Sequence, residues 1–275
     1  MEGSGDGEAG GRPPDEQPLT GGVANAGAVV RSGAHVLRPS NPHTGSVHAF
    51  LRALRAAGFE GASEPIGVDP DGRERLVFID GDVPVPPYPD WARTDGALVS
   101  VAELMADMHR AAASFDPAGL DWSDEMADPV GGPIVCHNEV CLENVVFRDG
   151  RAVGLLDFDF CAPGRPVRDL ASFARMCVPV DDDANADRLG WSRADRPARL
   201  RAVADAYGLA ADGRAELLAC LDHDIAHGGE FVLRHVEAGE PGFVAMWEEM
   251  GGMARFDRRR EWWASARPAF AAALA

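Results

Sequence analysis

The densest set of chemistry-bearing side chains lies in the segment IVCHNEVCLENVVF, where His137, Asn138, Glu139, Glu143 and Asn144 stand between apolar runs. Thirteen residues beyond Asn144, Asp157 follows the apolar run VGLL and opens the triplet Asp157-Phe158-Asp159. Carboxylates at the end of a buried strand are costly unless something pairs with them. A hairpin presenting the Asn144 amide and the Asp157 carboxylate at one end offers hard oxygen donors. Mg²⁺ takes such donors while keeping water and phosphate oxygens in its shell. Asp159 reads either as a further metal ligand or as an acceptor that steadies the loop, and Glu143 as a solvated or rim carboxylate.

The surrounding pattern supplies the elements that must position this cluster. Short strands are expected at 28–31 and 35–38 around the Ser32-Gly33 turn, and at 66–69 and 75–79 around Pro70-Asp71-Gly72. Between them Val47, Phe50, Leu51 and Leu54 form one helical stripe that ends at Gly58. The Pro-rich run GDVPVPPYPDW breaks the pattern and reads as a connector. A strong amphipathic helix follows from Val99 to about Ser114. Next come the segments 134–136, 144–147 and 152–157, with Arg148-Asp149-Gly150 as a turn. Helices are then expected at 167–177, 194–207, 212–237, 243–256 and 258–273, with a polar link at 179–188. Strands and helices do not alternate regularly, which argues against a doubly wound sheet and for an α+β chain.

Composition narrows the function. All 26 basic residues are Arg, so Schiff-base chemistry on a lysine is excluded and any phosphate-binding cation must be a guanidinium. The net charge of −18 opposes binding to nucleic acid or to an anionic membrane, and an acidic cleft would favour a cationic substrate. No apolar run reaches the length of a transmembrane helix, and residues 1–19, rich in Gly, Pro and acid, read as a disordered tail without a secretory signal. A cytoplasmic location and reduced cysteines are the default expectation. His223 and His227, four residues apart, have the spacing of a zinc pair but no evident third ligand.

The H-x-acid-x₄-N run at 137–144, followed by Asp157-Phe158, resembles the catalytic and metal-binding loops of kinases. The His-Asn-Glu form, the run GRAVGLLDFD and the segment PVRDLA at 166–171 resemble aminoglycoside phosphotransferases and choline kinase-like phosphotransferases. The segments VVRSGAHVLRP, SVHAFLRALRAAGFEGA and MWEEMGGMARF resemble an actinobacterial subgroup, and the likeness runs from about Gly21 to the end.

The resemblance implies a protein-kinase-like bilobal fold: a small antiparallel β lobe carrying one helix at 20–83, and a mostly helical lobe at 84–275 with the catalytic and metal loops and the acceptor pocket. It implies ATP or GTP as co-substrate with Mg²⁺, and transfer of the γ-phosphate to a hydroxyl of an antibiotic or other metabolite, an acceptor that an acidic cleft would make cationic. Glu139 stands where an aspartate aligns the acceptor hydroxyl, and Asn144, Asp157 and, in one reading, Asp159 stand as metal ligands. His137 would hold the catalytic loop, Asp169 would brace it through backbone amides, and Arg38 falls where a strand lysine grips phosphates. Gly21, Gly22 and Asn25 would cover the nucleotide, and Phe78, Ile79 and Gly81 would border its base.

Three departures accompany the likeness. Glu replaces the usual catalytic Asp, Arg replaces the strand lysine, and the helix around Ser46–Ala57 has no acid to pair with that cation, although His48 lies on it. A catalytically impaired binding protein, and a kinase fold reused for non-kinase chemistry in secondary metabolism, therefore stay open beside the kinase reading. The sequence carries no signal for the acceptor's identity or for oligomeric state.

Overall fold

The computed structural model describes residues 16–19, 28–191 and 194–275. The expected nucleotide-covering residues Gly21, Gly22 and Asn25 lie outside the described residues.

The N-terminal part is built on five antiparallel strands, β1 (Glu16–Pro18), β2 (Val30–Ser32), β3 (His35–Pro39), β4 (Pro65–Val68) and β5 (Arg73–Val77), in the order β1-β2-β3-β5-β4. Strand β1 falls inside the stretch read as a tail: Glu16 pairs with Ser32 and Pro18 with Val30. Its short polar sequence carries no strand periodicity, so only the pairing partner reveals it. Helix α1 (Thr44–Ala56) lies between β3 and β4 in the chain, and its stripe of Val47, Phe50, Leu51 and Leu54 is buried.

The connector is stitched to the second part of the chain. Asp82 N–H donates to the Phe147 carbonyl at 2.8 Å, and Phe147 N–H returns a bond of the same length to Asp82. Gly81 sits at φ 145°, and a Cβ there would meet the Phe147 carbonyl oxygen at 2.5 Å. Glycine is required here by close backbone approach as well as by its dihedral.

Helix α2 (Asp95–Ala112) opens the second part, its first turn capped by Thr94 Oγ1, which accepts from Ala97 N–H at 3.1 Å. Strand β6 (Ile134–Cys136) precedes the hairpin of β7 (Val145–Arg148) and β8 (Arg151–Leu155). Strand β9 (Ala162–Gly164) then pairs antiparallel with β6. Among the described residues seven helices follow: α3 (Pro166–Cys177), α4 (Asp183–Arg188), α5 (Arg196–Tyr207), α6 (Ala211–His227), α7 (Glu230–Glu237), α8 (Pro241–Glu249) and the long α9 (Met253–Leu274). The single helix expected over 212–237 is interrupted at Gly228-Gly229. A Cβ on Gly228 would meet the Asp224 carbonyl at 2.5 Å, and one on Gly229 would meet the Phe256 ring at 3.0 Å, so the break lets α9 approach closely. The polar link expected at 179–188 contains α4, capped by Asp182, whose side chain accepts from Asn185 N–H at 3.2 Å.

One continuous apolar core runs from α1 through α2 and the β6–β9 region into α3, α5, α6 and α9. Phe158 belongs to it: its ring lies 6.2 Å from Phe50 of α1 and 4.5 Å from His137. The apolar middle of the Asp157-Phe158-Asp159 triplet is thus a pin, and it leaves the flanking carboxylates at the cleft.

Candidate active site

Burial of a polar loop requires that its backbone groups find partners, and here a single carboxylate supplies several. Asp169, on the first turns of α3, has no exposed surface. Its Oδ2 accepts from His137 N–H at 2.8 Å and from His109 Nε2 at 3.0 Å, and its Oδ1 accepts from Asn138 N–H at 2.9 Å. Burial pushes its pKa up, but the hydrogen bond and charge interaction with His109 and the interactions with His137 outweigh it and leave the carboxyl below its ordinary value. His109 in turn meets the Tyr207 hydroxyl through Nδ1 at 2.6 Å. With Tyr207 donating to Nδ1, His109 presents an Nε2–H to the carboxylate.

This clamp holds a backbone in an uncommon conformation. Asn138 has φ 68°, and Asp157, across the site, has φ 62°. Positive φ at non-glycine residues is uncommon and costs about 1–3 kcal/mol where the surrounding structure enforces it. Asn138 is held further by its Nδ2 donating to the Phe160 carbonyl at 2.9 Å and by Ser172 Oγ donating to its own carbonyl at 3.1 Å. The turn at Asn138 aims the next residue, Glu139, into the cleft.

His137 joins the two loops. Its Nε2 donates to the Leu156 carbonyl at 2.8 Å, and its Nδ1 accepts from Glu139 N–H at 3.3 Å, the roles of a neutral ring. Burial lowers its pKa, in keeping with that neutral state. Leu156 N–H donates to the Asn144 carbonyl at 2.8 Å, so Asn144 and Asp157 are joined across one residue. Asn144 Nδ2 is spent on the Glu139 carbonyl at 3.1 Å, which turns its Oδ1 into the donor atom available to a cation.

From the N-terminal sheet, Arg38 on β3 reaches this point. Its guanidinium contacts Glu74 at 2.5 Å, Asp157 at 2.7 Å and Asp159 at 2.5 Å. Burial opposes its charge, but Asp159, Asp157 and Glu74 outweigh burial and raise its pKa above the ordinary value. The acid that pairs with Arg38 is therefore not on the helix but on the neighbouring strand: Arg38 and Glu74 are paired residues of β3 and β5. Helix α1 completes the arrangement through His48, whose Nε2 lies 2.7 Å from the second Glu74 oxygen. Glu74 was missed in the sequence because a charged residue in the run Arg73-Glu74-Arg75 looks like an exposed strand face, yet it is 1% exposed. The alternation signal was present, since Leu76, two residues on and on the same face of β5, is buried as well.

The electrostatics of the cleft are dominated by excess negative charge. Burial pushes the Glu139 carboxyl up to about 8, with Asp157, Asp159 and Glu143 adding to the effect and Arg175 opposing it. Burial also raises Asp159, to about 6, with Asp157 and Glu74 working against the relief that Arg38 gives. Three carboxylates (Glu74, Asp157 and Asp159) thus share the Arg38 guanidinium, with Glu139 close to the last two. The donor set is oxygen only and over-supplied with negative charge, which suits a hard divalent cation. Asn144 and Asp157 fit Mg²⁺ as ligands, with Asp159 beside them.

The remaining candidate residues have surroundings of their own. Ile79 packs over Gly154 of β8, where an added Cβ would come within 3.0 Å of it, and it lines a surface cleft with Phe59 and Leu104 rather than the catalytic loop. Adjacent residues of an extended chain face opposite ways, and Phe78 lies beneath the Arg31 guanidinium at 4.0 Å. Glu143 accepts from the Tyr88 hydroxyl at 2.7 Å, which ties it to the connector. His223 and His227 stack at 4.4 Å, and His227 Nδ1 bonds the His223 carbonyl in a local helical contact. Trp247 stacks on Phe256 and Trp263 is buried, so both are packing residues. The five cysteines are free. None of the described helices is long and apolar enough to cross a membrane.

The model of the phosphotransferase enzyme family, APH, matches residues 120–220, the stretch that holds His137, Glu139, Asn144, Asp157 and Asp169. The trifolitoxin immunity protein of Rhizobium leguminosarum bv. trifolii is 32% identical over 222 residues, covering 77% of this chain and 83% of the relative. Among solved structures, a choline/ethanolamine kinase family protein from Mesorhizobium loti superposes with a TM-score of 0.63 at 18% identity, covering 97% of this chain and 94% of its own. The gentamicin–APH(2")-IIa complex gives 0.57 at 12% identity, covering 85% and 89%, and the GDP complex of aminoglycoside 2'-phosphotransferase-IIIa gives 0.54 at 12%, covering 90% and 92%. The fold is accordingly the α+β, kinase-like bilobal one, and the chain belongs to the phosphotransferase enzyme family, the APH family.

Proposed function

We propose that this protein transfers the γ-phosphoryl group of ATP or GTP to a hydroxyl of a small molecule. The observation that supports the reading is the hydrogen-bonded chain from Asn138 through His137 and Leu156 to Asn144, which links the loop of Glu139 and Asn144 to the residue before Asp157, itself in contact with Arg38. In the reaction a bond forms between the acceptor oxygen and the γ-phosphorus, the bond from that phosphorus to the β–γ bridging oxygen breaks, and the hydroxyl proton passes to the Glu139 carboxylate. Mg²⁺ held by Asn144 and Asp157 would neutralise charge on the phosphate oxygens. Arg38 supplies a fixed positive charge beside that cation, as a planar donor rather than a point charge. Glu139 aligns the hydroxyl; its pKa of about 8 is that of a base able to accept a proton near neutral pH.

Glutamate is one methylene longer than aspartate, about 1.5 Å. The positive φ at Asn138 sets the backbone direction from which that longer side chain reaches. The immunity named in the 32% identical relative supports an antibiotic or toxin as acceptor. A test is the release of nucleoside diphosphate in Mg²⁺ buffer by the wild type and by Asp157→Ala. The variant should lose turnover and metal-dependent nucleotide binding, and an unchanged rate would refute the assignment.

A second reading, a nucleotide-binding protein without transfer activity, is favoured by Glu139 itself and by the prior engagement of Asp157 and Asp159 with Arg38. Turnover appearing only in Glu139→Asp would establish it.

A further inference from the structure

Arg38 joins three carboxylates from two parts of the fold. Its Nε donates to Glu74 Oε1 at 2.5 Å, its Nη1 to Asp157 Oδ1 at 2.7 Å and its Nη2 to Asp159 Oδ1 at 2.5 Å. All three nitrogens of the guanidinium are thus engaged. The first contact stays within the N-terminal sheet, where Arg38 and Glu74 are paired residues of β3 and β5. The other two cross to the loop after β8, 119 and 121 residues further along the chain.

The two ends are held differently. Glu74 is buried, and its second oxygen lies 2.7 Å from His48 Nε2 of α1. It fixes Nε to the sheet from within the protein. Asp157 and Asp159 reach the cleft, with 29% and 20% of their side chains exposed. Among the described residues, neither side chain makes another hydrogen bond or ion pair. Their backbone is set by Phe158 between them, pinned against Phe50 and His137. Two largely buried carboxylates this close in the chain need positive charge, and Arg38 supplies it.

The oxygens that Arg38 engages belong to the group that suits a divalent cation. A guanidinium and a divalent cation drawn to the same carboxylates repel each other, the more so where little water screens them. Mg²⁺ usually takes only one or two carboxylates and fills its shell with water and substrate phosphates. Phosphate also suits the arginine fork better than two carboxylates each taken through one oxygen. A nucleotide therefore brings what both cations need: oxygen ligands for one and a bidentate partner for the other.

We propose that Arg38 is a tethered counter-cation, holding Asp157 and Asp159 until a nucleotide's phosphates draw its Nη pair away, so that the divalent cation binds only together with nucleotide. The proposal rests on the phosphotransferase reading and deepens it: the strand arginine both grips phosphate and bars the metal from binding first. Glu74 and His48 keep Nε on the sheet in either arrangement. A lysine does not meet this task, since one ammonium has no fork to span Asp157 and Asp159 while a third nitrogen holds Glu74.

The test uses Mn²⁺ as the probe and the full-length protein free of nucleotide, with free metal counted by electron paramagnetic resonance. Wild type, Arg38→Gln, Arg38→Lys and the double variant of Arg38→Gln with Asp157→Asn are titrated, and each titration is repeated with ADP. Without nucleotide, Arg38→Gln should bind Mn²⁺ tighter than the wild type by about 10-fold or more. The double variant should lose that gain, which assigns it to Asp157. ADP should tighten Mn²⁺ binding by a larger factor in the wild type than in Arg38→Gln. A residue that merely shaped the site would on removal lower metal affinity, not raise it. Arg38→Lys keeps a charge beside Glu74 and serves where Arg38→Gln does not fold: it too should bind Mn²⁺ tighter than the wild type.

Mn²⁺ affinity in the folded Arg38 variants equal to or below that of the wild type would overturn the proposal, and so would a gain that survives Asp157→Asn. Failure of Mn·ADP to bind the wild type would instead count against the phosphotransferase reading, while the nucleotide-free comparison still decides the role of Arg38.

Discussion

Replacing Asp169 by Asn removes a charge and changes almost no volume, so it isolates the clamp on the catalytic loop. An asparagine can keep two of the three bonds by placing its Oδ1 where Asp169 Oδ2 accepts from His137 N–H and from His109. Its amide NH₂ then faces Asn138 N–H, where Oδ1 accepted at 2.9 Å. The loss comprises one charge-assisted hydrogen bond, about 1.5–3 kcal/mol, and one buried donor left without an acceptor, about 1–3 kcal/mol. Because these partly overlap, a destabilisation of about 3 kcal/mol is expected. With a urea m-value of about 3 kcal/mol/M, the unfolding midpoint should fall by about 1 M. The orphaned amide belongs to the residue at φ 68° that aims Glu139. Relaxation there by about 1 Å would cost about 100-fold in turnover. The assays are equilibrium urea unfolding followed by circular dichroism, and nucleoside diphosphate release under saturating nucleotide. A midpoint within about 0.2 M of wild type, or full activity in a destabilised variant, would refute the idea that this carboxylate both carries the loop and sets its aim.

Three other outcomes follow from the same geometry. With Glu139 pushed up to about 8, kcat/KM should rise with pH up to that value and the dependence should vanish in Glu139→Gln, whereas Glu139→Asp should lower turnover by about 10- to 100-fold; a flat profile in the wild type would remove Glu139 as the base. Arg38→Lys exchanges a fork that meets Glu74, Asp157 and Asp159 together for one ammonium, so nucleotide affinity measured by calorimetry should drop by about 10-fold, and an unchanged affinity would place the phosphates elsewhere. Arg259→Met strands the buried Asp181 carboxylate and should cost about 3–5 kcal/mol in urea unfolding at pH 7, with the deficit partly restored in the double variant with Asp181→Asn. Asp181 is held down to about 2, because its bonds and charge interactions with Arg259 and Arg255 outweigh burial. Its stabilisation is therefore present above the unfolded carboxyl value of about 3.9 and is lost as pH falls from there towards about 2, so the Arg259→Met deficit should shrink over that window.

What the sequence made legible, and what it hid, divides along a physical line. Asn144 and Asp157 were readable because each lies at a fixed offset from an apolar segment, and a buried carboxylate needs a local reason that short spacing can show, whereas Asp169 was readable only through the resemblance of the PVRDLA segment. The partners that complete them come from far along the chain and obey no spacing. Glu74 meets Arg38 across strands, 36 residues away, and His109 meets Asp169 across 60. The missing helix acid seemed to leave the strand cation unpaired, yet the same electrostatic requirement is met by a different element, with His48 in the helix position holding the acid instead of supplying it. A local motif therefore predicts that a charge must be answered but not where the answer comes from.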